Sequence, residues 1–142
     1  MKAYKLFRQR KDGSLGPLFI DQSLKIELGK VYHAEAKPTK GYAVRPGFHM
    51  GHLPSAPHLT EKGRLWVECE IPDFEYTPDL FPSAFSKVGD MKIVPAAGFY
   101  RFKRPSHQGG YWLISGSIRP VRILSKSDIN EILNERQEAH VI

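Results

Sequence analysis

The chain has 142 residues, 41% hydrophobic and 25% charged, with a net charge of +6. That length fits one domain able to bury roughly 70% of its unfolded surface, and the composition excludes a disordered tail. Met1-Lys-Ala-Tyr-Lys-Leu-Phe lacks the apolar core of a secretory signal, no run approaches a membrane span, and Cys69 is a lone cysteine, so the expectation is a cytoplasmic protein without disulfides.

The charge is uneven. Residues 1–66 carry +7, residues 67–85 carry −5, residues 86–124 carry +6 and residues 125–142 carry −2. Two basic blocks flank an acidic connector, and this raises the expectation of a polyanionic partner.

In chain order, Ala3 to Gln9 reads as a strand, and Lys11-Asp12-Gly13-Ser14 as the turn of a hairpin, because Asp-Gly accepts positive φ. Leu15 to Ile20 returns antiparallel, with Pro17 confining it to an edge. Leu24, Ile26 and Leu28 alternate with Lys25 and Glu27 as in a half-buried strand, Gly29-Lys30 breaks it, and Val31 to Glu35 continues extended.

Next comes Gly41-Tyr-Ala-Val-Arg-Pro-Gly-Phe-His49-Met-Gly-His52-Leu-Pro-Ser-Ala-Pro-His58, a Gly/Pro-structured loop holding half of the six histidines. The spacing His49-x2-His52-x5-His58, with Cys69, Glu68, His33 or His107 as a fourth donor, has the residue types of a zinc site. Pro54 and Pro57 exclude a regular helix and no Cys-x-x-Cys pair is present, so no metal is assigned. The stretch reads as a wall of a pocket lined by Tyr4, Arg8, Phe48, His49, His52 and His58.

Arg64 to Ile71 is the clearest strand: Leu65, Val67, Cys69 and Ile71 share one face, and Trp66, Glu68 and Glu70 share the other, expected to be solvated. The set His49, Glu68 and Glu70 supplies candidate acid/base groups. Residues 72–90 read as a long acidic connector, with room for a short helix over Asp79 to Phe85. Strands follow over Met91 to Val94, Phe99 to Lys103, Tyr111 to Ser115 and Val121 to Leu124. A helix is expected over 127–137, capped by Ser127, with Asp128 and Glu131 in its first turns and an Ile129, Ile132, Leu133 face.

The fold expected is a single α+β domain, a mainly antiparallel sheet of about eight to ten short strands with one C-terminal helix and long Gly/Pro-rich loops. Arg8, Arg10 and Lys11 at the end of the first strand, with Arg101, Lys103 and Arg104, form a polyanion-binding set if they meet in space.

Tyr4 to Ile20, Pro46 to Leu59, and Gly109-Gly-Tyr-Trp-Leu-Ile-Ser115 through Leu124 together resemble small uncharacterised proteins encoded by phages and prophages. That resemblance implies a small accessory protein of the host-cell cytoplasm that binds a host protein or a nucleic acid without catalysis and without a cofactor. The chain also resembles the ADP-ribosyltransferase-like fold: Arg8 ends the first strand, Arg64 to Ile71 stands as the central strand, and Gly109 to Leu113 as the late one. This second resemblance implies an NAD or nucleotide site in which Arg8 holds a phosphate. Tyr111 and Trp112 stand where that family's catalytic glutamate is expected, which implies a degenerate site.

Overall fold

The computed structural model describes residues 1–17, 24–33, 47–56, 60–71, 75–76, 98–103 and 111–141. Strand β1 (Lys2–Gln9) lies beside β5 (Arg64–Glu70) over seven antiparallel register pairs, from Lys2 opposite Glu70 to Arg8 opposite Arg64. Main-chain bonds between Met1 and Ile71 extend this ladder by one step. On its other side β1 meets β4 (Phe48–Gly51) with Tyr4 opposite Gly51, and β4 pairs β8 (Tyr111–Ser115). Strand β8 pairs β7 (Gly98–Lys103), which carries the parallel segment β6 (Glu75–Tyr76). Beyond β5 come β9 (Ser117–Ile123) and β3 (Tyr32–His33), and β2 (Leu15–Gly16) pairs β1 across the first hairpin.

Only Gly116 separates β8 from β9. The ladder from β8 through β4, β1 and β5 to β9 therefore returns to one continuous chain segment. The sheet curls so that one face is enclosed, while its path still ends at β3 and β6. The enclosed face holds Ala3, Phe7, Val67, Cys69, Ile71, Met50, Leu113 and Ile118. On the opposite face Tyr4, Leu6, Trp66 and Leu124 pack with Trp112 beneath Ile129 and Ile132 of the helix α1 (Lys126–Val141).

The mainly antiparallel α+β arrangement with one C-terminal helix follows the sequence reading. The sheet is carried by fewer and longer strands than eight to ten short ones once two-residue segments are set aside. Among the described residues six strands run for four to eight residues, and β2, β3 and β6 are only two residues each. The segments expected over Leu18 to Ile20, Asp79 to Phe85 and Met91 to Val94, and the long Gly/Pro-rich loops for the most part, lie outside the described residues.

Four local expectations change. Leu24–Leu28 is not a strand: Ile26 makes a lone bridge to Leu15, the chain turns at Gly29 with φ 84°, and Leu28 is left 48% exposed. His49 belongs to a short strand rather than a loop, because Phe48 and Met50 alternate into the core between flanking glycines. Trp66 and Glu68 face the helix layer and are buried, not solvated. The helix spans Lys126–Val141, and its cap is Ser125 rather than Ser127. The Ser125 Oγ accepts from the Asp128 N–H at 3.1 Å while the Asp128 carboxylate accepts from the Ser125 N–H at 2.9 Å.

Candidate functional site

Strand alternation puts Ala3, Lys5 and Phe7 on the enclosed face of β1. Ala3 and Phe7 are fully buried there, so Lys5 is a lysine set in the middle of the hydrophobic core face and half-buried by it. Its stem lies opposite Val67, itself fully buried. The Lys5 Nζ donates to the main-chain carbonyl of His49 at 2.9 Å and stands 5.7 Å from the centroid of the Phe7 ring. Among the described residues no carboxylate pairs with it.

Desolvation dominates this environment. Burial pulls the Lys5 amine down to about 8, and the Cys69 thiol nearby only partly opposes it. The same apolar surroundings push Cys69 up to about 12, with Lys5 opposing and Glu68 adding to the rise. Cys69 is thus an inert buried thiol, as its strand position implied. Lys5 is the reverse, an amine with a substantial neutral fraction near physiological pH. Sequence inspection passed over it, although an even-odd count along Ala3-Tyr-Lys-Leu-Phe7 placed a lysine between two core positions.

The opposite face of the same ladder manages charge differently. Glu68, 6% exposed, receives Arg122 at 3.4 Å and Lys2 at 3.9 Å, and Arg122 also reaches Asp128 of α1 at 3.4 Å. Arg119 pairs with Glu70. The two glutamates considered for acid/base work are therefore each held by an arginine.

Of the pocket set, Tyr4 packs in the helix-side layer and Phe48 against the enclosed core, so these two lie on different faces of the sheet. Arg8 shares the helix-side alternation of Tyr4 and Leu6. His49 contributes its carbonyl to the enclosed face, His52 follows the end of β4, and His58 lies outside the described residues. Of the basic set, Arg10 folds back over Gly16, donating to the carbonyls of Leu15 at 2.9 Å and Leu24 at 2.7 Å, and so locks the hairpin. Lys11 is exposed in the turn at Gly13. Arg101 and Lys103 stand on β7, opposite Leu113 and Tyr111, with β8 and β4 between them and β1; their side chains and Arg104 lie outside what is described. The two basic groups thus belong to separate strands of the curled sheet and not to one strand pair.

A second feature lies on the flank of β9. The Gly29 N–H donates to the Pro120 carbonyl at 2.7 Å, and Tyr32 pairs in register with Ile118. The Tyr32 hydroxyl accepts from the Glu27 N–H at 2.8 Å and holds the turn in place. Leu28 and Val31 on this turn segment, and Val121 at the register shift of β9, are 48%, 51% and 37% exposed. Ile123 is exposed two residues further along.

No helix among the described residues is long and apolar enough to cross a membrane. Comparison with family models, with curated proteins and with solved structures returns no match.

Proposed function

We propose that this chain is a non-catalytic accessory protein that docks a partner protein through the flank of β9. The observation that carries the reading is the exposure of Leu28, Val31 and Val121 on the two segments that the Gly29–Pro120 hydrogen bond joins. Large apolar side chains exposed together favour a protein partner, since water is released when they are covered. The phage-type resemblance of the sequence supports an accessory role in a host cell. A protein is favoured over nucleic acid because Arg10 is spent on hairpin carbonyls, while Arg119 and Arg122 are engaged by glutamates.

A photo-crosslinking side chain at Val31, compared with one at Asn130 on the helix, tests this in expressing cells. An adduct specific to position 31, and lost when Leu28→Asp and Val121→Asp are combined, is the expected result. An absent adduct, or one equally strong at 130, overturns the reading. Binding of a short DNA duplex that falls steeply with salt and ignores Leu28→Asp/Val121→Asp would replace it with the polyanion function.

A further inference from the structure

Strand β9 is paired along most of its length on one side only. On the inner side Arg119, Pro120, Arg122 and Ile123 lie opposite β5. On the outer side β3 meets Ser117 and Ile118, and the Gly29 N–H takes the Pro120 carbonyl at 2.7 Å. Beyond Pro120 no strand and no main-chain hydrogen bond reaches the outer side among the described residues.

The ladder fixes where the Ile123 main chain points. The Leu124 N–H donates to the Trp66 carbonyl at 2.9 Å, towards β5, and Ile123 lies opposite Val67 one step back. Antiparallel pairs alternate between bonded and non-bonded, so the Ile123 N–H and carbonyl both point away from β5. The register shift places Val121 as the extra residue, which lets Pro120 and Ile123 both face outwards. The side chains of Val121 and Ile123 are exposed, as are Leu28 and Val31 on the segment that Gly29 ties to β9.

We propose that the outer edge of β9 pairs antiparallel with the same edge of a second copy of this chain, with the two Ile123 residues opposite each other across a two-fold axis. This rests on the docking reading of the β9 flank and names its occupant. An unpaired strand edge is complementary to another backbone rather than to a particular side-chain surface. Antiparallel pairing is itself two-fold symmetric, so an edge centred on one outward-facing residue matches its own copy with both hydrogen bonds made. The pairing also sets one exposed isoleucine against another. The cations of β9 do not oppose it, because Arg119 is held by Glu70, and Arg122 by Glu68 and Asp128. The edge is short, so the association is weak and concentration-dependent.

The test uses the intact protein in two measurements. In the proposed register the two Ile123 Cα atoms stand about 5.5 Å apart, within the span of a disulfide. The two Val121 residues are four positions out of register, more than about 10 Å apart and out of reach. Under mild oxidation Ile123→Cys is expected to give a covalent dimer about tenfold faster than Val121→Cys, and Cys69, fully buried, supplies the silent background. In sedimentation equilibrium the unmodified chain is expected to rise from 16.2 kDa towards twice that mass with concentration, and Ile123→Pro, which deletes the edge N–H, to stay at 16.2 kDa. Equal or absent crosslinking at the two positions overturns the proposal, as does a constant monomer mass up to about 500 μM. A Val31 adduct with a different protein, lost in Leu28→Asp/Val121→Asp, together with a constant monomer mass, leaves the docking reading standing and removes the second copy as its occupant.

Discussion

Lys2 and Lys5 are three residues apart on β1, and the two faces of that strand treat them oppositely. Lys2 is exposed on the helix side and lies 3.9 Å from Glu68, one member of a ladder that continues through Arg122 to Asp128. Lys5 is on the enclosed side, with a carbonyl and an aromatic ring for company. The helix side tolerates charge because Glu68 sits between β1 and β9, within reach of cations from both neighbouring strands. The enclosed side is filled by apolar residues from eight strands, and a cation placed there meets desolvation with no carboxylate beside it among the described residues. Charge on one face contributes to docking the helix; on the other it opposes folding.

The comparison is broken most severely by removing the ring beneath Lys5. Phe7 is fully buried at the centre of the enclosed core, so Phe7→Ala is expected to cost about 3–5 kcal/mol in chemical denaturation. A loss below about 1 kcal/mol would mean that the enclosed face is not the main core.

On the helix side the decisive residue is Glu68. Glu68→Ala leaves Arg122 and Lys2 without their shared anion and is expected to cost about 1–3 kcal/mol. Glu70→Ala, with both partners about half exposed, is expected to cost about 0.5 kcal/mol or less. Equal effects of the two substitutions would show that burial of Glu68 adds nothing to its ion pairs.

Lys5→Met carries the comparison to the other face, with the opposite sign. The folded amine titrates at about 8 and the unfolded one near 10.4. Below pH 8 the unfolded chain holds the charge more readily, so the native state carries a penalty on the order of 3 kcal/mol. Between pH 8 and about 10.4 the unfolded chain binds the extra proton, and native stability rises with pH. Lys5→Met removes the charge and leaves the His49 carbonyl without its donor, a partial offset, so the net expectation is a gain of about 1–2 kcal/mol at pH 7. The variant also loses the alkaline rise in stability. Retention of that rise would assign it to another group.

How much of this was legible in the chain follows from which interactions are local. The β5 alternation of Leu65, Val67, Cys69 and Ile71 and the Asp12-Gly13 turn are written in adjacent residues, and both formed as expected. The burial of Trp66 and Glu68 was not visible, because it depends on a helix some 60 residues later covering that face. Strand β9 was read too short, since Ser117 and Pro120 are poor strand formers on their own. They are held by distant pairing, Pro120 opposite Cys69 and His33 Nδ1 at 2.9 Å from Ser117 Oγ. Arg8, Arg10 and Lys11 looked like one basic cluster in sequence. The fold turned Arg10 inward onto Gly16 and left Lys11 exposed, a division that no spacing rule encodes. Lys5 was in principle legible, but only once β1 was known to have cores on both faces.

The mildest test concerns where the ladder ends, at the start of α1. Ser125 and Asp128 cap each other, and the Asp128 carboxyl is held below the usual carboxylate range, first by the Ser125 N–H, then by its hydroxyl, with Arg122 adding to both. A depressed carboxyl contributes stability that is complete above the unfolded carboxylate range and is lost as pH falls through the folded value. Acid should therefore weaken the helix cap while leaving the enclosed core and the already protonated Lys5 untouched. Ser125→Ala is expected to cost about 1 kcal/mol at pH 7, and a smaller amount once the pH has fallen through the lowered Asp128 value, where its carboxyl no longer completes the reciprocal pair. Amide exchange at Asp128 and Ile129, compared with that at Phe7 and Val67, separates the two regions directly. Acid-induced exchange confined to the helix start is the expected pattern, and simultaneous loss of protection on β1 and β5 would show that helix and ladder do not unfold separately.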